Sequence, residues 1–414
     1  MSDPLSRAVA VARDRADPLR EWRAEFALPQ EVIYLDGNSL GALPRRTAER
    51  VRRTIEEEWG QGLVRSWNDA GWFDQPRTLG DRVAPLIGAG PGEVVVCDST
   101  SLNLFKVLTA ALGQRPGRDV VVTDLDSFPT DLYMIQGATS LLGGYELRYL
   151  TSTAPDLDDL LDERVAAVVL THVDYRTGEM YDLDAVTRRV QEAGALMIWD
   201  LCHSVGAVPV DLTAAGADFA VGCTYKYLNG GPGAPAFLYA AERHLDRVTQ
   251  PLSGWHGHAA PFAFTPDYEP APGISRFLVG SPGLLGYAAL EASLDLWDRV
   301  PMAELRTKSL ALTDLFLDLV QARLGDQVEP VTPRDHAVRG SQVSLRHPHS
   351  YEVMQNLIAR GVIGDVRAPD LMRFGFTPLY VRFQDVWDAV DVLDDILTRG
   401  TWREPRFAVR RQVT

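Results

Sequence analysis

The chain has 414 residues, a mass of 45.7 kDa and a formal net charge of −15, with 46% hydrophobic and 23% charged residues. That is the composition of a folded globular protein with a large domain and a smaller one, and it excludes disorder as the main state. The longest apolar runs, such as 94–97 and 166–170, are strand-sized and far short of the roughly 20 residues that cross a bilayer. The acidic balance argues against nucleic acid as a generic partner.

Residues 17–26 read as a helix leading through Pro29 to a short strand at 32–35. Helical character resumes over about 45–59, with Pro44 at a first-turn position and acidic residues following. From residue 94 the pattern alternates. Apolar, β-branched runs at 94–97, 120–123, 165–171, 195–199, 219–223 and 236–239 are separated by helix-like stretches at 102–113, 183–193 and around Leu212. Strands that are apolar throughout and spaced by helices predict a mainly parallel sheet covered on both faces, an α/β domain of roughly 200 residues. A loop-like stretch at 255–272 is dense in Gly, Pro, His and aromatics. A long helix over 284–317, interrupted near Pro301, leads to a smaller α+β unit. That unit has strands at 342–345, near 362–367 and at 371–374, and helices at 351–360 and 387–398. The expected organisation is an N-terminal segment, 1–60, that contributes to the small domain and borders the active site. A large α/β domain follows over 61–285, then the connecting helix and small domain over 286–414.

The first residues, Met1 to Leu5, lack the basic start and apolar stretch of a secretory signal. Three cysteines, Cys97, Cys202 and Cys223, make neither a disulfide framework nor a CxxC zinc pair, so a reducing cytoplasm is the expected setting.

Several motifs compete for attention. Gly37-Asn38-Ser39-Leu40-Gly41 matches the G-x-S-x-G nucleophile elbow. In an elbow the helix begins at the serine, whereas here Ala42, Leu43 and Pro44 delay it, so the better reading is a loop bordering an active site. The glycines at 88, 90 and 92 precede a strand and lack dinucleotide spacing. His256/His258 and His347/His349 have no cysteine or carboxylate partners nearby in sequence, and read as loop histidines, with no metal site expected.

The stretch Asp98-Ser99-Thr100-Ser101 follows a strand and opens a helix. Hydroxyls there serve equally as caps or as a phosphate cradle. Two strand ends add Asp200, with His203 beyond it, and Lys226, followed by Gly230, Gly231 and Gly233. Alone, Asp200 and Lys226 read equally as a salt bridge. Taken together, a phosphate-binding helix mouth, an Asp for a pyridinium nitrogen and a Lys for a Schiff base are the parts of a pyridoxal phosphate (PLP) site. Only three lysines exist, and Lys106 and Lys308 lie inside helical stretches.

The segments YLDGNSLG at 34–41, RSWNDAGW at 65–72, FPTD at 128–131, WDLCH at 199–203, CTYKYLNGGPG at 223–233 and MRFGFTPLY at 372–380 carry a more specific resemblance. Over nearly its whole length the chain resembles fold-type I PLP enzymes, and specifically the kynureninase family. The resemblance implies that Lys226 carries PLP, Asp200 pairs with the pyridinium nitrogen and Phe128 stacks on the ring. By the same resemblance Thr100 and Ser101 meet the phosphate, while Pro129, Thr130, Asp131, Thr171 and His203 border the cofactor. Tyr225, Trp255 and Ser281 match positions at the phosphate region, Trp255 and Ser281 coming from the neighbouring subunit of a homodimer. Tyr225 is also a general acid/base candidate. Arg373 matches the substrate-carboxylate position, with Asn38 and Ser39 also on the substrate side. His256 departs from the family pattern, in which an aromatic follows the tryptophan, and bears on the aryl pocket.

The implied reaction is hydrolysis of L-kynurenine, or 3-hydroxykynurenine, to anthranilate, or 3-hydroxyanthranilate, and L-alanine. Its setting is tryptophan catabolism by the kynurenine pathway, which also feeds NAD biosynthesis. The nearest rival is a cysteine desulfurase or selenocysteine lyase on the same fold. That chemistry needs a reactive cysteine on a mobile loop, and none of the three sits on one. A non-catalytic PLP-binding regulator would need an appended DNA-reading domain, for which no segment is spare.

Overall fold

The structure is a computed structural model that describes residues 3–151 and 156–411; the start of the N-terminal stretch, Met1 and Ser2, lies outside that description. Among the described residues, seven strands form a central sheet in the order Val94–Val96, Phe237–Ala240, Phe219–Gly222, Leu196–Asp200, Val165–Thr171, Val120–Asp124, Glu146–Leu150. The last five run parallel to one another, and Phe237–Ala240 is antiparallel to both its neighbours. Val165–Thr171 is buried at every position, which is why its sequence is apolar without alternation. The chain is therefore α/β with a mainly parallel sheet, as its pattern predicts.

Differences from the sequence reading have local causes. The edge strand Glu146–Leu150 escapes notice because Glu146 and Arg148 break its apolar run, as an edge position allows. The helix Pro129–Leu142 was not expected, although its proline occupies the first turn. Around Leu212 there is no helix. Backbone N–H groups of Leu212 and Thr213 instead donate to the carbonyls of Ile87 and Gly88, which pins the segment as turns. The expected helix at 17–26 is a 3₁₀ stretch, Arg20–Glu25, and the regular helix, Arg7–Ala16, precedes it and stops just before Pro18. The long helix divides into Leu284–Trp297 and Met302–Arg323, with Pro301 at the break.

A second sheet contains Glu329–Pro330, Gln342–Arg346, Asp365–Arg367 and Leu371–Gly375, all antiparallel to their neighbours. The N-terminal segment is tied to this unit. Ile33–Tyr34 pairs in parallel with Val362–Ile363, Asp36 bridges Gly375, and a buried ion pair joins Asp17 to Lys308 at 2.6 Å. From there the chain runs directly into the loop at 36–41, which touches both units. The N–H of Gly41 donates to the carbonyl of Tyr225 at 2.8 Å, and a Cβ at Gly41 would lie 2.2 Å from the carbonyl oxygen of Lys226. Only glycine allows that approach. No helix among the described residues is long and apolar enough to cross a membrane.

Candidate active site

The C-terminal ends of the parallel strands open onto one cavity of about 300 Å³, the place where open α/β sheets take ligands. Asp200 ends one strand, Thr171 ends the next, and Tyr225 and Lys226 follow a third. Thr100, Ser101, Phe128, Thr130, Asp131 and His203 complete the predicted part of the wall. Pro129 does not line the cavity. It starts the helix that presents Thr130 and Asp131, so its part is backbone placement.

The electrostatics separate two ends. Lys226 Nζ lies 2.9 Å from His203 Nε2. Burial, together with the charges of Lys226, Arg373 and Arg367, pushes the His203 imidazole well below its ordinary pKa. His203 is thus held neutral, with its Nε2 within hydrogen-bond reach of the Lys226 nitrogen. Asp200 is buried, with one carboxylate oxygen accepting from the Cys202 N–H at 2.8 Å. Burial, reinforced by the Asp200 charge, pushes the neighbouring Asp131 carboxyl well above the usual range, so Asp131 holds a proton beside an acidic partner. Tyr225 is raised as well, chiefly by burial, and stays a phenol that donates.

At the other end, Ser99 caps the helix Thr100–Gly113, its hydroxyl accepting from the Leu102 N–H at 3.4 Å. The first-turn N–H groups and the helix dipole make this end a seat for an anion. Phe128 is 43% exposed although it borders a cavity, and its ring meets Tyr175 edge-on at 5.2 Å. Its free face suits a stacked ring. Among the described residues, the buried Oγ1 of Thr171 and Nδ1 of His203 make no direct hydrogen bond of good geometry. An anion seat, a free aromatic face, a buried carboxylate for a cationic ring nitrogen and one lysine amine all fit PLP.

The other two lysines are spoken for. Lys106 Nζ is completely buried, pairs with Asp98 and donates to the carbonyl of Phe277 at 2.7 Å. Lys308 pairs with Asp17 and donates to the carbonyl of Pro378.

Other predicted residues lie apart from this cavity. Trp255 stacks on His256, with ring centroids 4.9 Å apart, and meets Trp67 edge-on. Ser281 lines a smaller neighbouring cavity that shares Asp98 and Gly233 with the first. Asn38 and Arg373 are buried behind the cofactor cavity, and Ser39 lies with them. Ser39 donates to Asp365 at 2.5 Å and accepts from Arg373 at 3.1 Å; a histidine is not among its partners, so the elbow-like motif has no triad. His258 contacts the Asp267 carbonyl and the Ala260 N–H, while His347 and His349 pack on Trp402, so these histidines are loop residues.

Sequence reasoning missed Tyr175 in the cavity wall and Asp365 behind it, and gave no site role to Asp98 and Cys202, which it met only as neighbours of the motif residues. Position beyond a parallel strand end was a usable signal for Tyr175. For Asp365 the signal was Arg373 itself. A guanidinium in an apolar strand needs a counter-ion, and removing one partner of a buried pair costs about 3–5 kcal/mol. Asp365 stands directly opposite Arg373 in the antiparallel register.

Next to this pair, burial and the Asp365 charge push the Asp36 carboxyl up to about 7, and one of its oxygens has no partner among the described residues. The folded chain therefore keeps a proton that the unfolded chain gives up above about pH 4, and stability falls as pH rises from there through 7. Asp365 is held below its ordinary value, so its contribution is lost only at more acidic pH and does not offset this. Asp36→Asn is expected to lose less stability than the wild-type chain between pH 5 and pH 8. Urea midpoints at the two pH values measure this; parallel losses would contradict it.

The comparisons agree with the geometry. A family model described as the kynureninase C-terminal domain matches residues 305–393. A kynureninase of Burkholderia pseudomallei is 57% identical over 99% of this chain and 100% of its own length, and one of Pseudomonas fluorescens is 54% identical over the same shares. Among solved structures, a cysteine desulfurase from Thermococcus onnurineus superposes with a TM-score of 0.77 at 20% identity, covering 92% of this chain and 98% of its own. The cystine C–S lyase C-DES gives 0.76 at 18% identity, covering 88% and 98%. At that identity these two speak to the fold alone. Fold and site together define a PLP-dependent enzyme of fold type I. Within that class, the chain belongs to the kynureninase family.

Proposed function

We infer that the chain hydrolyses L-kynurenine at its Cβ–Cγ bond, giving anthranilate and L-alanine, with PLP as cofactor. One observation carries this: a chain 57% identical to a kynureninase over 99% of its length brings Lys226, Asp200 and Phe128 to one cavity.

When bound, PLP supplies an electron sink for the charge that develops at Cα. This chain's residues do the rest. Asp200 would pair with the ring nitrogen and keep it protonated, and Phe128 would lie against the ring. The Lys226 amine takes up and delivers the Cα proton, with neutral His203 within hydrogen-bond reach. The Tyr225 phenol donates a proton as water adds to the γ-ketone and the aryl acid leaves. Arg373 fixes the α-carboxylate so that the Cα–H bond is aligned, and Asn38 and Ser39 hold the loop against it. The Ser99-capped helix, with Thr100 and Ser101, takes the phosphate. The buried cysteines speak against the desulfurase alternative. With L-kynurenine and L-cysteine compared at equal concentration, kcat/KM is expected to favour L-kynurenine by orders of magnitude. Comparable rates with cysteine would reverse the choice.

The proposed active unit is a cytoplasmic homodimer whose sites span the interface, in the kynurenine pathway. The 61–285 domain carries the cofactor, and 286–414 with the N-terminal segment closes over it. Trp255 supports this arrangement because it lies outside its own chain's cofactor cavity, and Phe262 and Phe264 of the same loop are 67% and 86% exposed. Mixing inactive Lys226→Ala chains with inactive Trp255→Ala chains is expected to restore part of the activity. A stable, fully active monomer in light scattering is the contrary result.

A further inference from the structure

Arg373 does not stand alone. Its Nε donates to one Asp365 oxygen at 2.7 Å and its Nη2 pairs with the other, while Nη2 also donates to the Ser39 hydroxyl and Nη1 to the Tyr175 carbonyl. Four of its five N–H groups are thereby committed, and the edge formed by Nε and Nη2 is already held by a carboxylate. A second guanidinium shares that carboxylate: Arg367 Nη2 lies 2.9 Å from Asp365, and its side chain is 30% exposed where Arg373 is wholly buried. Two cations thus share one anion, and Asp36, its carboxyl pushed up to about 7, adds a second only as pH rises through that value. The excess positive charge reaches the cofactor cavity, because both arginines act on His203. The Tyr175 carbonyl that holds Arg373 belongs to a residue of the cavity wall. Partly buried, unbalanced charge is costly, and a ligand bringing one negative charge removes the imbalance.

We propose that Arg367 is a second binding residue for the substrate's α-carboxylate, and that Asp365 is a positioning residue that aligns Arg373 while leaving the cluster one net positive charge. This rests on the reading that Arg373 faces that carboxylate. Asp365 fixes the guanidinium from behind, the last Nη1–H of Arg373 meets the substrate, and Arg367 supplies the uncompensated charge.

The test compares L-kynurenine with its decarboxylated analogue, 3-amino-1-(2-aminophenyl)propan-1-one, as a competitive inhibitor of the PLP-loaded enzyme. In Arg367→Gln, KM for L-kynurenine is expected to rise about tenfold or more, as for loss of one charged hydrogen-bond partner. The kcat should stay within about threefold, and the inhibition constant of the amine should be unchanged. In Asp365→Asn the split reverses: kcat falls about tenfold or more without a rise in KM, because the positive charge remains while the alignment is lost. Bound PLP and thermal midpoint are measured for each variant. If Asp365→Asn does not fold, the part-exposed Arg367→Gln decides the proposal alone. Equal weakening of the amino acid and the amine in Arg367→Gln overturns it. Arg373→Gln separates the two levels. If that variant still prefers the amino acid over the amine, the reading of Arg373 fails. If it loses the preference while Arg367→Gln keeps it, only the present proposal fails.

Discussion

Lys226→Ala is expected to lower kcat for L-kynurenine by about 10⁴-fold or more, the scale set by losing a positioned acid–base group that is also the attachment point of the cofactor. The reason is the scarcity of amines. Lys226 is the lysine at the cavity, while Lys106 and Lys308 are each buried against a carboxylate and a carbonyl. Borohydride reduction of the wild-type enzyme followed by peptide mapping should place the pyridoxyl group on residue 226. Finding it on Lys106 or Lys308, or retaining turnover in Lys226→Ala, would sink the assignment.

Asp200→Asn should cost about 10²–10³-fold in kcat, the range for removing one preorganised electrostatic partner from a buried site. The substitution keeps the size of the side chain and can still accept from the Cys202 N–H. What disappears is the negative charge opposite the ring nitrogen. Asp131 cannot replace it, since burial beside Asp200 holds its carboxyl protonated in the wild-type chain. The absorption maximum of the bound cofactor and kcat are the two readouts. An unchanged spectrum with kcat within tenfold of wild type would show that the ring nitrogen is neutralised elsewhere.

Much of the site was legible because parallel sheets place function at strand ends, and strand ends are easy to see when strands are uniformly apolar. Asp200 and Lys226 each come at the end of such a run, and the hydroxyls at 99–101 open a helix, so local pattern alone brought them to one edge. The family resemblance added Phe128, Asp131 and His203. What stayed hidden depended on contacts between distant segments. Asp365 and Arg373 face each other only once a strand register is fixed, and Tyr175 reaches the cavity from a turn with no periodic signature. The turns around Leu212 and the half-exposed strand Glu146–Leu150 were misread for a related reason. In one, backbone hydrogen bonds donated to the carbonyls of residues 87 and 88 decide the conformation, and in the other an edge position tolerates charge.

The central claim is that Lys226 and the residues around it cleave kynurenine between Cβ and Cγ. Its most direct test is quantitative product analysis of L-kynurenine incubated with the PLP-loaded enzyme. Anthranilate and alanine should appear in equal amounts, at a rate that vanishes in Lys226→Ala. Consumption of kynurenine without anthranilate, or anthranilate formed equally well by the variant, would contradict the account.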